Sequence, residues 1–200
     1  EFRRVLFRSP PGSGMQVLRL RDYVTVDLQR SEQERWESYS PQNRNKIRKA
    51  EKAGYRIEHG NPSAHFQDFV DIYLDNMKQL HAAAAYFFSP PYFAALQNLT
   101  VTDGILLLAQ GPAGTVGAGV FFRSGPWAHY FLASVTAEGR QHGVSNLLLH
   151  EGIRWAAGTG ARTMHLGGGL SADPQDALFV FKRNFSDATV PFRKIGRAHV

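Results

Sequence analysis

Trp127-Ala-His-Tyr-Phe-Leu-Ala-Ser134, Thr136-Ala-Glu-Gly-Arg-Gln-His-Gly-Val-Ser145 and Asn146-Leu-Leu-Leu-His-Glu-Gly-Ile-Arg-Trp-Ala-Ala157 read in turn as a strand, a polar loop and a helix. A loop that runs into a helix N-terminus presents backbone N–H groups and the positive end of the helix dipole. Small residues in Arg140-Gln-His-Gly-Val-Ser145 let an anion such as pyrophosphate come close. The plain alternative is that Gly143 is only a turn.

Outward from this unit, Gly104–Ala109, Thr115–Arg123 and Trp127–Ser134 are apolar runs separated by Gly111-Pro-Ala-Gly114 and Ser124-Gly-Pro126. Short turn segments between such runs predict an antiparallel meander. Downstream, Thr163–Leu166 reads as a strand ended by Gly167-Gly-Gly169, and a last helix is expected over about 175–184. Upstream, Phe66, Phe69, Val70, Tyr73, Leu74, Met77 and Leu80 form an apolar stripe with helical period, capped by Asn61 or Ser63. A short helix is read over Tyr92–Asn98 and a strand over Tyr55–His59. Ser40-Pro41 opens a basic helix, Gln42–Ala53, and Gly54 ends it. Ser31 with Glu34 has the capping-box pattern for a helix to Tyr39, and Val24–Leu28 alternates as a short strand. Helices, an antiparallel sheet and a strand–loop–helix–strand unit predict mixed α/β or α+β architecture.

Composition limits the chemistry. The chain has 200 residues, 43% of them hydrophobic, enough for one ordinary core. It has no cysteine, which excludes disulfides, thiolate nucleophiles and cysteine-bound metals. With no apolar run near the roughly 20 residues of a membrane helix, a cytoplasmic location is expected. The formal charge is +6, yet Glu1–Ser9 carries three arginines against one glutamate, and Lys194–Val200 one lysine and one arginine. The body between them is therefore close to +2. Both ends resemble translated sequencing adapters, and 1–14 and 194–200 are set aside as tails and linker. The histidines are scattered without ligand spacing, so no metal site is expected.

Several stretches resemble, in order, the second GNAT-like domain of the Fem family of peptidoglycan-bridge aminoacyl transferases. They are Arg44-Asn-Lys-Ile-Arg-Lys-Ala-Glu-Lys-Ala-Gly54, Tyr86-Phe-Phe88, His129–Ser134, Leu148–Ala156, His165-Leu-Gly-Gly-Gly169 and Asp176-Ala-Leu-Phe-Val-Phe-Lys-Arg-Asn-Phe185. The resemblance implies a GNAT-like fold over 40–193, a mostly antiparallel sheet flanked by helices, with 15–39 a remnant of a preceding domain or a connector. It implies an acyl or aminoacyl transferase that forms an amide, in cell-wall or polysaccharide precursor biosynthesis. The donor is then aminoacyl-tRNA or acyl-CoA, with no tightly bound cofactor. The acceptor is a small-molecule or cell-wall-precursor amine. An N-acetyltransferase of a small molecule and a non-catalytic GNAT-like binding module are the alternatives.

By the same resemblance Arg140, Gly143, Val144 and Ser145 bind the donor phosphates, Ser145 replacing the usual last small residue. Phe181-Lys182 with Phe185 matches the family's Phe-Lys-x-x-Phe motif, which puts Lys182 near the reacting groups. An ammonium there can stabilise the oxyanion formed when an amine attacks an acyl group; otherwise Lys182 is a solvated helix residue. His165 is a candidate general base and Tyr130 a group that orients substrate or protonates a leaving group, against ordinary packing roles for both. Gly167, Gly168 and Gly169 allow close approach of substrate or of another backbone. Asp176 reads as a helix cap and Glu138 as a weaker candidate base. Tyr86 stands for a family substrate-binding tyrosine, but Leu80-His-Ala-Ala-Ala-Ala-Tyr86 has no counterpart of the arginine that precedes it. Arg44, Lys46, Arg48, Lys49 and Lys52 form either a solvated face or a phosphate-binding one, fitting a tRNA acceptor stem or a peripheral membrane contact.

Overall fold

The computed structural model describes residues 15–197. Its elements in order are β1 (Met15–Asp27), α1 (Glu32–Ser38), α2 (Pro41–Lys52), β2 (Arg56–Gly60), α3 (Pro62–Gln79), α4 (Pro90–Asp103), β3 (Gly104–Gly111), β4 (Gly114–Ser124), β5 (Trp127–Val135), α5 (Ala137–Gln141), α6 (Val144–Gly158), β6 (Thr163–Gly167), α7 (Ala177–Arg183) and β7 (Thr189–Arg197). The strands form one sheet in the order β2-β3-β4-β5-β6-β1-β7. Every neighbouring pair is antiparallel except β5 and β6. Among the described residues no helix is long and apolar enough to cross a membrane.

Local chemistry sets the helix boundaries. Ser31 and Glu34 form a reciprocal capping box at α1. Ser40 caps α2, with Pro41 in its first turn, and Asn61 caps α3. In α2 the buried stripe is Asn43, Ile47 and Ala50, one residue per turn, while Lys46, Arg48, Lys49 and Lys52 face outward. The expected α3 stripe does pack: Phe66, Phe69, Val70 and Tyr73 join Phe93 and Leu96 of α4 on one face of the sheet. On the opposite face α2 and α6 cover Leu107, Phe121, Met164 and Leu166.

Several parts differ from the sequence reading. β7 was not foreseen, and β1 begins nine residues before Val24. Arg19, Arg21 and Asp22 interrupt the apolar alternation there, as suits a segment whose neighbour is the edge strand β7. Residues 15–39, expected as a remnant or connector, are built into this sheet, because β1 pairs with both β6 and β7. Residues 194–197, set aside as a tail, continue β7, whereas 1–14 and 198–200 lie outside the described residues. The loop expected over 136–145 contains α5, which Thr136 caps by accepting a hydrogen bond from Gly139 N–H at 3.2 Å.

α6 packs closely on β4, where the fully buried Phe121 ring lies on Gly152 and a Cβ there would collide with it. Gly152→Ala should therefore cost about 1–3 kcal/mol by overpacking, despite alanine's better helix propensity. Gly158→Ala, in the open last turn of the same helix, should be neutral or stabilising by up to about 1 kcal/mol. Thermal melts of the two variants check the pair, and equal shifts would contradict this packing.

Candidate active site

β5 and β6 are joined by only a short ladder. Trp127 pairs with Thr163, Ala128 with Met164 and His129 with His165, and there the ladder stops. Two backbone features lie just past the end. In β5, Tyr130 opposes Phe121 of β4 and Leu132 opposes Val120, so Phe131 is the extra residue of a bulge. The bulge reverses the alternation: Tyr130 packs with the α2/α6 face and Leu132 with the α3/α4 face. In β6, Gly167 takes φ +81° and turns the chain away. The two strands separate beyond this point.

The gap opens into a cleft of ≈ 380 Å³ whose walls include Tyr130, Ala133, Arg140, Ser145 and Phe181. The 140–145 loop forms its rim. Gly143 caps α6 with φ +76°, and a Cβ there would lie 2.9 Å from the Lys46 carbonyl oxygen, so the loop is pressed against α2. Arg140 and Ser145 both line this cleft. Val144 is fully buried in the core and does not line the cleft. The Arg140 guanidinium is held by the Asn76 side-chain oxygen and, at 3.3 Å, by that of Gln79, both on α3. Asn76 also lines the cleft, a role its place in the α3 pattern did not reveal.

Lys182 is buried, contrary to a solvated helix position. Its Nζ donates to the Gly168 carbonyl at 2.7 Å and lies 5.9 Å from the centre of the Tyr130 ring. Loss of water lowers its pKa from 10.5 to about 8, offset in part by the Asp176 carboxylate and reinforced by Arg21. It therefore remains mostly protonated at neutral pH while poorly solvated. Burial likewise pushes the Tyr130 hydroxyl well above its ordinary range. The triglycine segment supplies both carbonyls and close approach: Gly168 accepts from Lys182 and a Cβ there would lie 3.0 Å from the Asp22 carbonyl oxygen, and Gly169 accepts from Arg21 at 2.7 Å. Asp176 caps α7 through the Leu178 and Phe179 N–H groups and also accepts from Leu170 and Ser171. Phe181 reaches the cleft, and Phe185 is fully buried against Tyr39.

His165 lies on the far side of Tyr130, in a second pocket of ≈ 330 Å³ that Tyr130 and Gly167 also line. Its ring stacks on His129 at 5.5 Å. Burial, and then the neighbouring His129, lower its pKa; burial alone lowers that of His129. Two expected residues do not join this centre. Tyr86 sits in a short 3-10 turn, accepts from Tyr73 through its carbonyl, and lines neither cavity. Glu138 accepts from the Tyr55 hydroxyl at 2.8 Å and lines neither cavity. The sequence reading also missed a polar chain across three helices. Asn146 Nδ2 donates to Asn43 Oδ1 at 2.7 Å, Asn43 Nδ2 donates to the Asn184 carbonyl at 3.0 Å, and Ser40 Oγ donates to Asn184 Oδ1 at 2.8 Å. The available signal was Asn43 at a core position of the basic helix.

Known proteins share this architecture. FemX superposes with a TM-score of 0.69 at 13% identity over 90% of this chain and 60% of its own. L-PGS from Bacillus licheniformis gives 0.63 at 15% identity, with 91% and 61% covered. A conserved protein of unknown function from Bacteroides thetaiotaomicron gives 0.67 at 10% identity, with 90% and 60% covered. At these identities the likeness is one of fold, and the chain spans about 60% of the length of each structure. No curated protein matches it significantly. The model of the acetyltransferase (GNAT) domain matches residues 38–183, which contain α2, the meander, the 140–145 loop and Lys182; the chain belongs to the GNAT acetyltransferase family.

Proposed function

We propose that this domain transfers an acyl group from acyl-CoA to an amine, with no covalent enzyme intermediate. The observation that carries the reading is the position of Tyr130, which lines both the cleft beside the α6 N-terminus and the pocket of His129 and His165. A donor in the first cavity and an acceptor in the second would meet at this residue. The donor phosphates fall to the 140–145 rim, where Ser145 at the α6 N-terminus lines the cleft and supplies donors. Arg140 adds its charge from a position fixed by Asn76 and Gln79.

In the reaction the amine nitrogen attacks the thioester carbonyl, a C–N bond forms, and charge develops on oxygen. Lys182, a desolvated ammonium, stabilises that oxyanion, where a low local dielectric strengthens it. The amine gives up its proton to neutral His165. The C–S bond then breaks, and the Tyr130 hydroxyl protonates the departing thiolate. Positioning accounts for the remaining barrier reduction.

An aminoacyl-tRNA donor would call on the basic face of α2. Two of its cations are already committed: Arg44 binds the carbonyls of Glu37 and Tyr39, and Arg48 lies 5.3 Å over Trp36. That leaves Lys46, Lys49 and Lys52 as a thin electrostatic base for an acceptor stem, so acyl-CoA is the donor retained. A cell-wall or polysaccharide precursor as acceptor rests on the Fem resemblance alone.

Acetyl-CoA at about 100 times its dissociation constant should add about 2.7 kcal/mol of stability, a rise in Tm of roughly 5–10 °C. A melt that acetyl-CoA does not move would contradict the donor assignment.

Lys182→Met should lower thiol release by about 10²–10³-fold without lowering Tm, because it also removes a buried charge. The absence of cysteine means that released thiol can be titrated without background from the protein. Unchanged turnover would remove Lys182 from the mechanism.

The same pKa shift sets a pH dependence. Between about 8 and 10.5 the unfolded chain binds more protons at this lysine than the folded one. Folding stability should therefore rise with pH across that window, and turnover should fall above pH about 8 as the ammonium is lost. Both trends should vanish in Lys182→Met, as denaturant melts and a pH–rate profile would show.

A further inference from the structure

The pocket beyond Tyr130 has a chemistry of its own. It is lined from β5, β6, β1 and β7, which are neighbours in the sheet. Its apolar walls are Phe131, Val190, Pro191 and Phe192, together with the Tyr23 ring, which stacks on Phe192 at 4.7 Å and 5°. Phe131, Val190 and Phe192 leave 44%, 39% and 40% of their surface exposed, a contiguous apolar lining open to solvent. The lining residues that carry polar side chains are Tyr23, His129, Tyr130 and His165. Among the described residues, no carboxylate, ammonium or guanidinium lines it.

We propose that this pocket selects a small primary amine carried on an aromatic or branched apolar group, an arylalkylamine in the simplest case. The proposal rests on the acyl-transfer reading above and specifies its acceptor. The ring of such an amine lies against Phe131, Phe192 and Tyr23, where each aromatic contact adds to the burial of apolar surface. Its nitrogen reaches the imidazole pair beside Tyr130. The two imidazoles are stacked at an interplanar angle of 11°, an arrangement that two imidazolium ions would oppose by repulsion. At least one is therefore neutral and able to take the amine proton.

Other amines fit less well. A polyamine would place its second ammonium in this lining with no carboxylate to receive it. A nucleotide-linked or phosphorylated precursor would lay phosphate on phenylalanine and valine with no cation in the lining. At ≈ 330 Å³ the pocket is at the small end of ligand sites, which run from about 300 to 1,000 Å³.

The test uses the full chain and acetyl-CoA, with thiol release as readout. 2-Phenylethylamine and isoamylamine are compared with spermidine, glucosamine and a UDP-linked muropeptide. The expected result is kcat/KM at least tenfold higher for the first two. Phe192→Asp should raise KM for 2-phenylethylamine at least tenfold while KM for acetyl-CoA stays unchanged, and Phe192→Leu should restore most of the loss. Separately, titrating 2-phenylethylamine alone should shift the imidazole ring protons of His129 and His165 in a proton NMR spectrum. Equal or faster turnover of spermidine, glucosamine or the muropeptide overturns the acceptor assignment and leaves acyl transfer standing. Unmoved imidazole resonances at millimolar phenylethylamine also overturn it. An enzyme that neither binds acetyl-CoA nor releases thiol with any amine overturns the transfer reading, and this inference with it.

Discussion

Three residue pairs, ending at His129 and His165, hold β5 to β6, and what happens past them determines the rest of the site. Two parallel strands that stop pairing leave backbone N–H and C=O groups facing a gap, and such groups need partners. The bulge at Phe131 and the left-handed Gly167 keep the strands apart, so the gap is built in rather than closed by fraying. Lys182 reaches into this region from α7 and binds the carbonyl next to the turn. One lysine thus binds the chain at the exit of β6 and carries a poorly solvated charge to within 5.9 Å of the Tyr130 ring centre.

The elements around the gap are tied to one another through α2. The Asn146–Asn43–Asn184 chain links the first turn of α6 to the end of α7, and Ser40 adds a further bond to Asn184. Each bond contributes about 0.5–1.5 kcal/mol, and breaking one leaves a buried amide unsatisfied at a cost of about 1–3 kcal/mol. The close approach of Gly143 to the Lys46 backbone presses the 140–145 rim onto the same helix. The basic helix is therefore first a scaffold: its buried stripe positions both the rim and Lys182, and two of its arginines serve α1.

Legibility followed the range of the interactions. The capping box at Ser31, the α3 stripe, the meander turns and the Asp176 cap are local and were readable from neighbouring residues. Arg140 and Ser145 were readable from a loop running into a helix N-terminus and Phe181 only through family resemblance; all three line one cleft. Interactions between distant segments were not readable. No local pattern announces that Phe131 is a bulge, that His129 stacks on His165, or that Asn76 holds Arg140. β7 was missed because its partner is β1, more than 160 residues earlier in the chain. Tyr86 was carried over from a family pattern whose accompanying arginine is absent here, and its carbonyl serves Tyr73 instead.

The central claim is that the separated strands are the acyl-donor site. The most direct test is amide hydrogen exchange with and without acetyl-CoA. The account predicts slowed exchange concentrated in residues 131–135 of β5 and 144–147 of α6, with α4 and the β2–β3 edge unaffected. Binding without protection in β5 beyond the bulge, or with protection confined to another face of the sheet, would contradict it.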